Sequence, residues 1–379
     1  EMAKSLAQTD MLYQKSLIKQ WEARAIQRTV MSEMTSRQLI NRVIPMYEET
    51  LRDIERELKE LYLQNSNGQV LDVAKLKEKL VGNDRKKVLL KLKEKITLAG
   101  YDYKKVLNKD FLYKLDRLEG FRQYVYWSVK DLVPEMTISE RKYYSDIIKQ
   151  AYSLTREDNA LRMMYKGVGL GGLGNFKGYS ITGGFNIINE DLINKILEDD
   201  FLGSNYEIRT NTNIGEFASE LRNILGMKAI TGMSIDKTSK IIHERFGVAE
   251  RSAVRLIRTE SMHFSNQAEL QGYQDDGIEY YRYVATLDNR TSKICRGMNG
   301  TIWKLSEAVE GYNYPPLHSN CRSTTVAIFA DEIRPEMVME SRYKRSKDYT
   351  YGDILEEVYK GNERAYRLGT GESLKIGKK

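Results

Sequence analysis

From Tyr47 the apolar residues recur as Leu51, Ile54, Leu58 and Leu61, at alternating spacings of four and three. That rhythm puts them on one stripe of an α-helix. The residues between them, Arg52, Asp53, Glu55, Arg56, Glu57, Lys59 and Glu60, suit a solvated face. Pro45 just upstream predicts that the helix starts there, because proline inside a continuous helix removes a hydrogen bond. Asn65, Ser66, Asn67 and Gly68 then read as a turn.

A second helical stretch is basic. Lys75, Lys77, Lys79, Arg85, Lys86, Lys87, Lys91, Lys93 and Lys95 face only Glu78, Asp84 and Glu94, and Gly82-Asn83-Asp84 predicts a break into two helices. The ordinary reading is a solvated helical hairpin. The sharper one is a surface that tracks phosphates, which requires the basic side chains to converge in space. Helix is also predicted from Asp110 to about Met164, with a break near Pro134 and Thr137. Eight glycines between Gly167 and Gly184 then read as a connection or an irregular loop.

Beyond it, helices are expected over Gly215–Leu225, from an N-cap at Ser234 to Gly247, and from Ala249 to about Gln271. On the last, Val254, Ile257, Ser261, Phe264 and Ala268 make the expected buried side. Residues 278–287, rich in Tyr, Val and Thr, read as a strand, with partners near 301–305 and 323–329. The expected fold class is α+β: a mostly helical N-terminal region over residues 1–165, a glycine-rich connection over 166–189, a C-terminal domain of helices packed on a small β-sheet over 190–335, and a charged, Tyr-rich tail over 336–379.

Composition narrows the class. Hydrophobic residues at 41% and charged residues at 30% fit a globular chain with long polar helices. No apolar run is long enough to span a bilayer, and EMAKSLAQTD lacks the apolar core of a secretory leader, so no membrane partner is expected. A net charge of +7 permits nucleic-acid contact without establishing it, since affinity follows clustered charge. Two cysteines, Cys295 and Cys321, do not make a disulfide framework.

Several patterns invite a chemical reading. Gly167, Gly169 and Gly172 fit G-x-G-x-x-G, as do Gly169, Gly171 and Gly174, but the residues before them look helical, whereas a dinucleotide site needs a strand there. Ser234 and Lys237 fit S-x-x-K without a companion motif, so Ser234 reads as a helix cap. Glu260 and His263 share a helix face, which suits a surface or interdomain hydrogen bond. The densest constellation runs from Asp288 to Cys321. Cys295, His318 and Cys321 are three soft ligands of the kind zinc accepts, with Asp288, His263 or water as a fourth. A hydrogen-bonded turn around two buried thiols is the ordinary alternative. The same residues also permit a catalytic arrangement, with Cys295 as nucleophile, His318 as base and Asp288 as orienter.

Arg258-Thr259-Glu260, Ala268, Tyr273, Gly277, Ala285 through Ser292 (with Asp288, Arg290 and Thr291), Cys295, Gly300, Pro315-Pro316, His318 and Cys321-Arg322, in that order, resemble the Mu F-like head morphogenesis domain of tailed bacteriophages. The resemblance covers roughly residues 190–330. Trp21-Glu22-Ala23-Arg24 and the charged helices around it also resemble minor capsid proteins from phages of Gram-positive hosts. The resemblance implies a virion protein without catalytic activity, assembled in the host cytoplasm and placed in the head near the portal. Its implied partners are the portal protein, the major capsid or scaffolding protein, and double-stranded DNA bound non-specifically. The DNA contacts would fall at Lys86, Lys87, Lys91, Lys93, Arg342, Lys344 and Arg345. A metal-dependent enzyme acting on nucleic acid, or a host-directed effector, is the competing reading. Many relatives carry cysteines where this chain has Ser292 and Ser323, so a four-thiolate site is excluded and Cys295–His318–Cys321 remains. Arg290 is expected to pair with Asp288 or Glu260 and stiffen the turn.

Overall fold

The stripe at Tyr47 belongs to a single helix, α1, that spans Met2–Asn65. It runs through Pro45 rather than starting there. Burial of Leu39, Ile40, Val43 and Tyr47 on either side outweighs the one hydrogen bond that proline removes. Ile54, Leu58 and Leu61 are buried and Leu51 half-buried, as the spacing predicts. The computed structural model describes residues 2–67, 70–167, 187–226, 233–333 and 335–339. The predicted glycine-rich connection and charged tail lie mostly outside these residues, and Arg342, Lys344 and Arg345 entirely so.

A two-stranded antiparallel pair, β1 (Ser66–Asn67) and β2 (Val70–Leu71), follows α1. Helix α2 (Val73–Lys77) is capped by Asp72, whose carboxylate accepts from the N–H of Ala74 and Lys75. Helix α3 (Gly82–Leu98) begins inside the predicted break, with Gly82 in the left-handed region at φ 56°. Two short helices, α4 (Tyr103–Val106) and α5 (Lys109–Lys114), lead to α6 (Arg117–Lys130) and α7 (Leu132–Gly167). The break expected near Pro134 falls at Asp131. Pro134 sits in the first turn of α7, where a missing N–H has no intrahelical partner to lose.

Helices α8 (Glu190–Leu197) and α9 (Tyr206–Ile224) come next. The two helices expected to part at Gly247 are one, α10, spanning Ile235–Asp275. An interior glycine costs only about 1 kcal/mol, and burial of Ile242, Phe246, Ala253 and Ile257 carries the helix across it. Ser234 does cap α10, accepting from the N–H of Lys237 at 3.4 Å. Gly272 lies inside the helix against Thr155, and Gly277 (φ 67°) makes the turn beyond.

The three-stranded antiparallel sheet has the order β4-β3-β5, with β3 at Tyr280–Val284, β4 at Ile302–Lys304 and β5 at Thr324–Ile328. Tyr281 pairs with Trp303 on one side and Ala327 on the other. The short helix α11 (Lys293–Met298) lies between β3 and β4 in sequence.

The chain divides into two units interleaved along the sequence. One comprises residues 38–141 and 207–254. In it α3 packs on α6 through Leu92, Ile96 and Trp127. The other comprises Glu1–Arg37, Lys142–Tyr206 and Arg255–Lys379, and contains the sheet. There both sheet faces are covered. Met163, Leu270, Tyr273, Tyr281, Trp303 and Ala327 cluster on one face. Ala25, Val284, Val326 and Ile328, with Trp21 and Ile26, cluster on the other. This is why every residue of β5 is buried. Among the described residues no helix is long and apolar enough to cross a membrane.

Candidate functional site

Beyond β3 the chain makes a polar turn held by its own side chains. The Asp288 carboxylate accepts from the Arg290 N–H at 2.8 Å, and the Asp288 N–H donates to Thr291 Oγ1 at 2.8 Å. Arg322 Nη2 reaches the same carboxylate at 2.6 Å and holds Asp288 well below the usual carboxylate range. The guanidinium that binds Asp288 is therefore mainly that of Arg322. Arg290 lies 3.7 Å away with its side chain 70% exposed, because the turn spends its backbone N–H on Asp288 and leaves its side chain in solvent. Thr286 Oγ1 donates to the Arg322 carbonyl at 2.8 Å and joins the two chain segments.

Ser292 ends this turn and caps α11, accepting from the Cys295 N–H at 3.1 Å. The cap sets Cys295 in the first turn of the helix with its thiol inward. The second segment approaches through the Pro315–Pro316 peptide, which is cis, and through Asn320, which takes a left-handed φ of 57°. The Cys321 N–H donates to the His318 carbonyl at 3.1 Å, closing a turn that points both side chains the same way. Thr259 on α10 fixes it by accepting from the Asn320 N–H at 3.0 Å.

The result is a cluster. Cys295 Sγ lies 3.2 Å from His318 Nε2 and 3.6 Å from Cys321 Sγ. Tyr283, buried on β3, donates its hydroxyl to Cys295 Sγ at 3.4 Å and lies 4.0 Å from Cys321 Sγ. His318 Nδ1 lies 2.8 Å from the Ser319 carbonyl, which can only accept, so the proton is on Nδ1 and Nε2 faces the thiols. The hydrogen bond from Cys321 and the neighbouring His318 pull the Cys295 thiol down, while burial pushes the Cys321 thiol up. Burial lowers His318, but the Cys295 sulfur outweighs it and holds the imidazole above its ordinary value.

Cys295, His318 and Cys321 are thus brought together, and the two other protein groups offered as a fourth ligand are not. Asp288 is bound by Arg322, and His263 belongs to a second cluster. Nor does Asp288 orient His318, whose second nitrogen is taken by Ser319. In the second cluster His263 is buried on α10, stacked on Phe201 at 4.3 Å, with Nδ1 2.8 Å from Glu310 Oε1. Its Nε2 faces Asp199 at 3.7 Å. One ligand atom from each of Asp199, His263 and Glu310 lies within 4.8 Å of the other two. Glu260 is buried beside His263 rather than at a surface. Sequence reasoning placed a solvated side on this helix, whereas from Thr259 to Asn266 every residue is buried, polar ones included.

A buried ion network went unseen in the sequence. Arg28 on α1 binds Asp158 on α7, lies 3.6 Å from Glu269 on α10 and donates to the Thr325 carbonyl of β5 at 3.3 Å. Arg24 also binds Asp158, at 2.5 Å, and Glu22 pairs with Arg282 at 2.9 Å. The fourfold spacings Arg24–Arg28 and Asp158–Arg162 were the available signal. Of the proposed DNA-contact residues, Lys86, Lys87 and Lys93 are exposed on α3, with Lys93 4.6 Å above the Tyr103 ring. Lys91 is instead engaged by Glu57 and Glu60. Arg258 is exposed and Pro316 buried.

Residues 221–326 match the family model described as phage Mu protein F like protein, and over that span the chain is similar to a Mu F-like phage head morphogenesis domain. No curated protein and no solved structure matches. The matched span contains Cys295, His318, Cys321, His263 and Glu310.

Proposed function

We propose that this protein is a minor head protein of a tailed phage, associated with the portal and acting in packaging, retention or delivery of the genome without catalysis. The observation that carries the reading is the Mu F-like match over 221–326. The site chemistry supports it. The two thiols and Tyr283 are buried, and the turns around them are tied by Thr259, Asp288, Thr291 and Arg322. That arrangement stiffens a scaffold more readily than it receives an external substrate.

Partners follow from the same reading: the portal protein, the major capsid or scaffolding protein, and double-stranded DNA through exposed lysines such as Lys86, Lys87 and Lys93. The place of action is the head interior near the portal, after assembly in the host cytoplasm. Co-expression with the portal protein of the same phage tests it. Co-purification in a fixed ratio through size exclusion is the expected result. Separation of the two proteins, with both folded, contradicts portal association.

A further inference from the structure

We propose that Cys295, His318 and Cys321 bind a zinc ion, a site that pins the Asp288–Cys295 turn to the His318–Arg322 turn. The separations fit the ion. Two thiolates about 2.3 Å from a tetrahedral zinc lie about 3.8 Å apart, and a thiolate and an imidazole nitrogen about 3.5 Å apart. The corresponding separations here are 3.6 Å between the sulfurs and 3.2 Å between Cys295 Sγ and His318 Nε2. All three ligand atoms lie within 4.8 Å of one another. The separations are shorter than those of a zinc shell by a few tenths of an ångström, roughly, so binding moves the ligand atoms apart by that much.

The surroundings are those of a ligand shell. The Ser319 carbonyl takes the Nδ1 proton of His318, which fixes the tautomer that presents Nε2 to a metal. Tyr283 donates to Cys295 Sγ, a hydrogen bond that a metal-bound thiolate accepts well. Ser292 and Thr259 anchor the two turns that carry the ligands. The fourth position is left to a water molecule, since Asp288 is engaged by Arg322 and His318 is the half-buried member through which solvent reaches the site. Zinc is favoured over calcium or magnesium because the donors are sulfur and nitrogen rather than oxygen. Zinc binding here is independent of portal association.

The test is the metal content of the full chain, purified without chelator and measured by inductively coupled plasma mass spectrometry. The expected result is about one zinc per chain, lost to background in Cys295→Ser and in His318→Gln. Because these variants also disturb packing, the wild type supplies a second readout. Its two thiols should react slowly with a thiol reagent as purified and faster once a strong chelator has removed the metal. Zinc absent from folded wild-type protein overturns the proposal, and so does a Cys295–Cys321 disulfide in protein purified under reducing conditions. Retention of full zinc in both variants also overturns it.

Discussion

The Arg28 guanidinium lies 3.6 Å from the Glu269 carboxylate, with both side chains buried and Asp158 bound to the same guanidinium. One cation therefore joins α1, α7 and α10, and its bond to the Thr325 carbonyl adds β5. Removing one partner of a buried ion network leaves charges uncompensated, at a cost of about 3–5 kcal/mol. Arg28→Met should lower stability by that order in urea denaturation. Adding Glu269→Gln to it should recover part of the loss, because the second change removes an orphaned carboxylate. Independent, additive effects would contradict the network.

Asp288 and Arg322 make the analogous prediction at the turn. Arg322 depresses the Asp288 carboxyl, so the contribution is present above the ordinary carboxylate pKa of about 3.9. It is lost only as pH falls through the lower folded value. Asp288→Asn should melt below wild type at neutral pH, and the gap should close in strong acid. Arg290→Ala should melt like wild type, since its guanidinium is exposed and 3.7 Å from the carboxylate. Equal losses for Asp288→Asn and Arg290→Ala would contradict this division.

His263 gives a pH dependence of opposite sign. Burial lowers its pKa, but Glu310, with smaller help from Asp199 and Glu260, outweighs burial and raises it. A raised folded pKa stabilises fully below the unfolded value of about 6.5 and is lost as pH rises through the folded one. Glu310 is itself raised by burial, partly offset by His263, so its effect runs the same way. Thermal midpoints of wild type should fall from neutral toward alkaline pH more steeply than those of His263→Gln. Parallel profiles would contradict the pair.

Gly300 turns the chain from α11 into β4 with φ 86°, and its N–H donates to the Tyr283 carbonyl at 2.8 Å. An added Cβ would come within 3.2 Å of the Arg282 guanidinium. Gly300→Ala should therefore lose about 1–2 kcal/mol from the left-handed backbone alone. Chemical denaturation checks it, and an unchanged midpoint would contradict the turn geometry.

For DNA, replacing Lys86, Lys87 and Lys93 together should weaken binding to any duplex and reduce the salt slope by about one for each phosphate no longer neutralised. Lys91→Ala should leave the slope unchanged, because Lys91 is held by Glu57 and Glu60. Filter binding across a salt series separates the two outcomes.

Local signals were legible in the sequence where one residue type carries the physics. The Tyr47–Leu61 stripe, the Ser234 cap and the strand at Tyr280–Val284 follow from spacing and side-chain chemistry. What periodicity cannot carry is the partner on the far side. α10 reads as amphipathic, yet its polar residues Glu260, His263 and Glu269 are buried because other segments bring matching charges to them. Glu310 and Arg28 lie far from those partners in sequence, and no local spacing announces them. Pro45 and Gly247 show the same limit: each disfavours a helix locally, and tertiary burial overrides both.

Quantitative mass spectrometry of purified phage particles from the producing strain decides whether this chain is a minor head protein. A few copies per particle, in fixed ratio to the portal protein, are expected. Absence from particles, with the protein abundant in the lysate, would contradict the assignment.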